Sequence, residues 1–343
     1  MPRHAFVIGG TGQIGRAVAT ELASRGWRVT LSSRSEPSDA DELASRGISS
    51  VALDREAPGA LGNVLAEGTD ALIDTIAFTE THADQLLEIE QAVGAFVVIS
   101  SSSVYRDDAG RTLDEARDNG FPIFLGPIDE AQPTVEPGPE TYSTRKVALE
   151  RRLLDHARQP VTILRPAAIY GPYSTHPREW WFVKRMLDRR PAIPLAYQGR
   201  SQFHSTAAAN IARLIGVVLD APKTHILNIA DPEAPSVAEI GTAIATHLGY
   251  EGRLMPIETP ESGGSVGWTP WSVPSPFTLD TSRALALGYG PATIYQDAVG
   301  PTCDWLTAQD GARWRTLFPG LAAYPFELFD YRAEDEFFAL RRV

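Results

Sequence analysis

In the stretch "ETYSTRKVALE" a tyrosine, Tyr142, stands four residues before a lysine, Lys146. Residues i and i+4 of a helix share a face, so phenol and ammonium point the same way, with Leu149 and Leu153 continuing the stripe. Such a pair can pass a proton to or from a carbonyl oxygen. An unperturbed tyrosine, with a pKa of ~10, is a weak acid for that task. An ammonium ~4 Å away at an effective dielectric of ~20 is worth ~4 kcal/mol, about three pKa units at most, and desolvation of the phenolate offsets part of it. The composition makes the lysine stand out, because only Lys146, Lys184 and Lys223 among 31 basic residues are lysines. A compact ammonium fits beneath a tyrosine where the wide fork of a guanidinium does not. The plainer alternative is a half-buried helix carrying a solvated lysine.

A second donor to the same oxygen is expected nearby. The run "VVISSSSVY" sets four serines, Ser100 to Ser103, at the C-terminal end of a buried strand, where open parallel sheets bind their ligands. Serines in that place also cap loops, and the segment alone does not separate the two roles.

These side chains need a frame. Short apolar runs ("HAFVI", "WRVTL", "SSVAL", "ALIDTIA", "AFVVIS", "VTILRP") alternate with amphipathic segments through the first half. Strand alternating with helix predicts an α/β fold, a doubly wound parallel sheet of the Rossmann type. Two of the helical segments, "RAVATELASRG" and "THADQLLEIEQAVG", end in glycines, Gly26 and Gly94, read as C-caps. Residues 106–139 break the rhythm with proline, glycine and acidic residues and read as a long surface excursion. After "YGPY" the pattern loosens. We expect a dinucleotide-binding domain at 1–170, a smaller C-terminal substrate-binding lobe at 171–310 with an interdigitated boundary, and a tail at 311–343, helical at "AEDEFFALRR", whose role is not legible. Trp180, Trp181, Trp268 and Trp271 fall in the lobe, as aromatic core or as a wall against an apolar or ring-shaped substrate.

The segment "AFVIGGTGQIGRAVATEL" is a strand, a glycine-rich turn and a helix. Gly10, Gly12 and Gly15 satisfy the G-x-G-x-x-G spacing, which permits a tight turn and close approach of backbone N–H groups to a pyrophosphate at the helix N-terminus. Gly9 adds a second spacing with Gly12 and Gly15, and Thr11, Gln13 and Ile14 complete the cradle. Cofactor choice is written at the end of the second strand. There "VTLSSRSE" offers Ser32, Ser33 and Arg34, donors suited to a 2′-phosphate, so NADP(H) is expected ahead of NAD(H). In the alternative, Arg34 is solvated and Glu36 holds the ribose of NAD.

Composition bounds the partners. A net charge of −12 repels phosphate backbones and anionic lipid, so neither nucleic acid nor membrane is an expected partner. The single Cys303 excludes a disulfide framework and a multi-cysteine metal site. No apolar run approaches the ~20 residues of a bilayer span, and "AFVI" is too short for a signal-peptide core, so a soluble cytoplasmic protein is expected.

From about Phe6 to Leu306 the motifs "GGTGQIG", "SSSSVY", "YSTRK", "LRPAAIYGP", "ILNIAD" and "LDTSRALALGY" resemble those of the extended short-chain dehydrogenases/reductases, the NAD(P)-dependent epimerase/dehydratase family. The resemblance implies that Tyr142 is the general acid/base, that Lys146 lowers its pKa and holds the nicotinamide ribose, and that Ser101 positions the substrate oxygen. It implies further that Asp54 and Arg55 lie beside adenine, that Ile76 and Ala77 pack under the cofactor, and that the chain can dimerise through helices like the one bearing Tyr142. Two departures accompany it. Where nucleotide-sugar enzymes of the family carry an arginine for the substrate diphosphate, alignment of "NIA" places Phe203, with Arg200 nearby, and Asp74 stands where a histidine is common. The expected activity is hydride transfer at a C–OH or C=O carbon of a small molecule, carbonyl reduction first and epimerisation or dehydration of a sugar derivative second. A non-catalytic dinucleotide sensor or RNA-associated protein is the reading of another class, opposed by the intact Ser, Tyr and Lys and by the acidic charge.

Overall fold

The computed structural model describes residues 2–37, 39–258 and 265–341, which divide into two units. The first comprises residues 1–169, 208–230 and 279–292, and the second 170–207, 231–278 and 293–343.

The first unit is built on seven parallel strands: β1 (His4–Ile8), β2 (Arg28–Ser33), β3 (Ile48–Ala52), β4 (Ala71–Asp74), β5 (Phe96–Ile99), β6 (Val161–Pro166) and β7 (His225–Ile229), in the order β7-β6-β5-β4-β1-β2-β3. Their runs are apolar on both faces because both faces are covered. Ala5 and Val7 of β1, Ile73 of β4 and Val97 of β5 point into one core, whereas Phe6 and Ile8, Leu72, and Phe96 and Val98 point into the other. The period of two thus feeds two layers. Helix α1 (Gln13–Ser24) supplies Val18, Ala19 and Leu22 to the first core. Helices α2 (Glu80–Glu88) and α3 (Tyr142–His156) supply Ala83, Leu86, Leu149 and Leu153 to the second. Helix α4 (Ala208–Asp220) lays Ile211, Ile215 and Leu219 on the first core.

The two units interleave along the chain. Residues 208–230 belong to the first unit because β7 completes the sheet beside β6, and residues 279–292 join them. Residues 311–341 are packed in the second unit rather than forming a separate tail. Gly26 lies just past the end of α1 with φ of 81°, a backbone that suits glycine. Gly94 does not cap α2, which ends at Glu88. Its lack of a side chain serves a close approach, since a Cβ there would lie 2.5 Å from the Asp70 carbonyl oxygen.

The second unit has its own aromatic core, in which Trp180, Trp181, Phe182 and Trp271 are fully buried among Ile240, Ile244, Val299 and Leu306. The tryptophan wall is therefore not made by Trp180, Trp181 or Trp271, which are core residues, while Trp268 is half-buried between Tyr197 and Phe326. Cys303 is buried here, and burial pushes its thiol up to about 12. The C-terminal helix Tyr331–Arg341 is held by Glu334, which accepts from the buried Arg185 guanidinium at 2.6 Å, while that guanidinium stacks 3.6 Å over Trp181. Among the described residues no helix is long and apolar enough to cross a membrane, and no group of His, Cys, Asp or Glu is placed to hold a metal ion.

Candidate active site

The site is assembled in the first unit, at the C-terminal ends of β1, β4 and β5. Helix α3 begins at Tyr142 because Thr141 caps it, accepting from the Thr144 N–H while the Thr144 hydroxyl accepts from the Thr141 N–H at 2.9 Å. The next N–H, that of Ser143, is taken by Asp114 at 2.7 Å. The long excursion thus delivers a carboxylate to the positive end of α3. The excursion is organised by Asp107, which is buried and accepts from the N–H groups of Ala109, Arg111 and Ile123 and from the Arg111 guanidinium. Burial would raise its pKa, but these donors hold it below the ordinary carboxylate range.

One turn into α3, the Lys146 side chain is wholly buried. Its Nζ donates to the Ala77 carbonyl at 2.6 Å and to the Ile99 carbonyl at 2.8 Å, and it lies 5.6 Å from the centre of the Tyr142 ring. The solvated-lysine alternative therefore fails. Burial pulls the ammonium down to about 8, against the opposing fields of Asp74 and Glu150 and with that of Arg55. Tyr142 is 37% exposed, so part of the residue faces solvent. Phe78, which sequence reasoning passed over, closes the group. Its ring lies 4.5 Å from Lys146 Nζ and edge-on to Tyr142 at 6.0 Å. Its exposure, 43% directly after Ala77, is a structural signal with no counterpart in the sequence pattern.

The four serines divide into different roles. Ser100 is buried and donates to Glu150, which also pairs with Arg165 through Nε at 3.1 Å and through Nη2. Ser102 is buried. Ser103 accepts from the Ser143 hydroxyl through its carbonyl at 2.9 Å. Ser101 is half-buried, and its hydroxyl oxygen accepts from the Ser103 N–H at 3.1 Å. It caps the short helical turn Ser102–Val104 and remains accessible.

At the glycine loop, three glycines are required by the chain itself. Gly9 has φ of 76°, and a Cβ on Gly10 or Gly15 would lie 2.6 Å from the Leu31 Cβ and 2.5 Å from the Gly10 Cα, respectively. Gly12 differs. Its φ of −79° and ψ of 174° suit any residue, and a Cβ would meet nothing nearer than the Gly9 oxygen at 3.6 Å. The space over Gly12 is therefore not filled by the protein. Helix α1 starts there with no side-chain cap and no acidic residue in its first turn, so the N–H groups of its opening residues, Gln13 and Ile14 first, face that space unpaired with any side-chain cap. These are the requirements of a pyrophosphate. Thr11 accepts from the Arg16 guanidinium at 3.1 Å, and Ile14 is buried in the core.

At the end of β2 the Ser32 hydroxyl turns inward to the Val7 carbonyl and is not a donor to a ligand. Ser33 is half-buried and donates to the Ser35 carbonyl at 2.6 Å. Arg34 and Glu36 are exposed, and neither has an ion-pair partner among the described residues. After β3, Asp54 is exposed and accepts from the Glu56 N–H. Arg55 does not lie open beside it. Its guanidinium is buried, donating to Asp74 at 2.7 Å and to Gln85 at 3.0 and 3.2 Å. Ile76 is 38% exposed beside the loop, with its side chain against the Gly9 position, and Ala77 is buried with its carbonyl on Lys146.

In the second unit, Phe203, where the diphosphate arginine is expected, packs 5.2 Å from Phe277, and Arg200 is exposed on a groove lined by Gln198, Gln202 and Glu258.

Residues 5–230 match the model of the NAD dependent epimerase/dehydratase family. The structure is similar to a putative epimerase from Burkholderia cenocepacia J2315 (TM-score 0.68, 19% identity, 90% of this chain and 99% of that one). It is also similar to UDP-glucose 4-epimerase from Thermus thermophilus in complex with NAD (TM-score 0.65, 18% identity, 90% and 100%). A third similar structure is a mutant of UDP-glucuronic acid 4-epimerase from Bacillus cereus with UDP-4-deoxy-4-fluoro-glucuronic acid and NAD (TM-score 0.66, 19% identity, 89% and 99%). Among curated proteins no sequence matches.

Proposed function

Since the chain belongs to the NAD dependent epimerase/dehydratase family, we propose that it carries out redox-neutral chemistry, epimerisation or dehydration, at a hydroxyl-bearing carbon of a sugar-like small molecule, with Tyr142 as the group that moves the proton. The cofactor is a nicotinamide dinucleotide, which when bound supplies a hydride acceptor and donor at its C4. The observation that carries the proposal is the Lys146 ammonium, buried and tied to two backbone carbonyls beneath the Tyr142 ring.

The residues divide the work as follows. Gly12 and the uncapped start of α1 hold the pyrophosphate. Lys146 commits two of its three N–H donors to Ala77 and Ile99, which leaves one for a ribose hydroxyl and fixes the charge near the phenol. That charge favours the phenolate, so Tyr142 can accept a proton from a substrate hydroxyl and return it to a carbonyl oxygen. Ser101 offers its hydroxyl to the same substrate oxygen. Phe78 covers the ammonium and limits its hydration.

Carbonyl reduction, the first expectation from the sequence, lacks specific support, whereas the family and the epimerase neighbours favour the redox-neutral alternative. The nucleotide part of a nucleotide-sugar would need a contact other than the family arginine, because Phe203 stands in its place and Arg200 is the exposed cation nearby in sequence. For the adenosine end, the two neighbours solved with NAD favour NAD. Ser33 and the exposed Arg34 favour NADP instead, and Arg34→Ala should then narrow any preference for NADPH over NADH in thermal protection.

Identifying the dinucleotide released on denaturing the purified protein, then supplying candidate sugars without external oxidant or reductant, tests the proposal. An epimer or dehydrated product with no net change in absorbance at the reduced-nicotinamide band supports it. Turnover that occurs only when NADPH is added, with stoichiometric consumption of it, restores the reductase.

A further inference from the structure

We infer that Asp74 is a positioning residue for Lys146, fixing both the place and the charge of its ammonium, with Arg55 as the guanidinium that holds the carboxylate from outside the turn. The inference deepens the role of Lys146 given above and rests on it.

Asp74 ends β4 and is fully buried. One carboxylate oxygen accepts from the Ile76 N–H at 3.0 Å and the other from Arg55 Nη1 at 2.7 Å. The first bond folds the turn that carries Ala77, whose carbonyl is the shorter of the two acceptors on Lys146 Nζ. The second is locked from outside the turn. Arg55 donates on to Gln85 of α2, and the Gln85 amide donates back to the Arg55 carbonyl at 3.1 Å. Asp74 therefore reaches Lys146 twice, through the turn and through its field.

The charged and titratable groups around the ammonium are Asp74 from β4, Arg55 from the segment after β3, Tyr142 and Glu150 from α3, Arg165 from β6, paired with Glu150, and His82 from α2, bonded to the Phe78 N–H. Burial works against the ammonium. Asp74 and Glu150 work for it, Asp74 more strongly, and Arg55 works against it. Loss of the Asp74 charge leaves Arg55 uncompensated, so both changes push Lys146 toward the neutral amine. A neutral amine can still donate to a ribose hydroxyl but no longer favours the phenolate.

The chain has only three lysines, Lys146, Lys184 and Lys223, so isotope-labelled lysine gives three side-chain signals that single substitutions assign. Titrating the Lys146 signal by NMR in the ligand-free protein reads the coupling without cofactor or substrate. In Asp74→Asn the midpoint should fall by about one pH unit or more, and in the double variant Asp74→Asn, Arg55→Gln it should return toward the parent. A midpoint in Asp74→Asn within about 0.2 units of the parent overturns the inference, because a merely structural residue would loosen the turn without moving the titration. Should Asp74→Asn fail to fold, the double variant decides. Its midpoint must lie below that of the parent, because Asp74 acts on the ammonium more strongly than Arg55, and a midpoint at or above the parent overturns the inference. Failure of Tyr142 as the proton carrier would leave this titration untouched, so the two readings can fail separately.

Discussion

Lys146 lies one helical turn below Tyr142 and is tied by its Nζ to the carbonyl of Ala77 at 2.6 Å, so the ammonium is held by backbone of the sheet's C-terminal edge rather than by a carboxylate. A buried cation with two neutral acceptors keeps its charge available to the phenol above it.

Holding it there has a cost that depends on pH. Unfolded lysine keeps its ordinary value of 10.5, while burial lowers the folded value to about 8. Between these values the unfolded chain binds more protons, so stability rises with pH across that window and is lowest, on this account, below about 8. Relative to Lys146→Met, the parent should gain up to ~3 kcal/mol between pH ~8 and ~10.5 in urea unfolding. Parallel stability curves for the two proteins would show that the lysine is not buried as a cation.

The glycine loop predicts a separation of folding from binding. Gly12→Ala places a methyl group in open space with allowed backbone angles, so folding stability should change by less than about 1 kcal/mol, while NADH and NADPH protection is lost. Gly15→Ala drives a Cβ to 2.5 Å from Gly10 Cα and the Gly9 oxygen and should destabilise the protein itself. Undiminished dinucleotide protection in Gly12→Ala would show that the space over Gly12 is not a phosphate site.

In the second unit, burial raises the Glu179 carboxyl from 4.5 to about 7. The folded state then binds the extra proton between these values, so the stability that Glu179 contributes is complete below ~4.5 and is lost as pH rises through about 7. Glu179→Gln should remove a loss of up to ~3 kcal/mol and be the more stable protein at pH 8. Equal pH dependence in parent and variant, followed by denaturant unfolding at pH 5 and 8, would contradict the assignment.

Much of this was legible in the sequence where the requirement is geometric and local. The glycine spacing demands a turn between strand and helix, the four-residue step from Tyr142 to Lys146 demands a shared face, and the β-runs demand a sheet covered on both sides. What lay beyond reach depends on distant pairing. Arg55, expected beside adenine from the family resemblance, is turned by the structure onto Asp74, 19 residues away. Asp107 and Asp114 sit in an aperiodic segment whose order comes from carboxylates receiving backbone N–H groups, which no periodicity records. The return of β7 to the sheet is a matter of topology, invisible in a single strand's composition.

The central claim is that Tyr142 moves the proton and does not merely pack beside Phe78. Tyr142→Phe removes one hydroxyl and keeps the ring, so the measurement is turnover of parent and variant on the identified substrate at equal dinucleotide occupancy. The account predicts a loss of about 10²-fold or more in kcat, with melting temperature and dinucleotide affinity unchanged. Full turnover in Tyr142→Phe would contradict it and leave a dinucleotide-binding protein whose tyrosine and lysine share only a helix face.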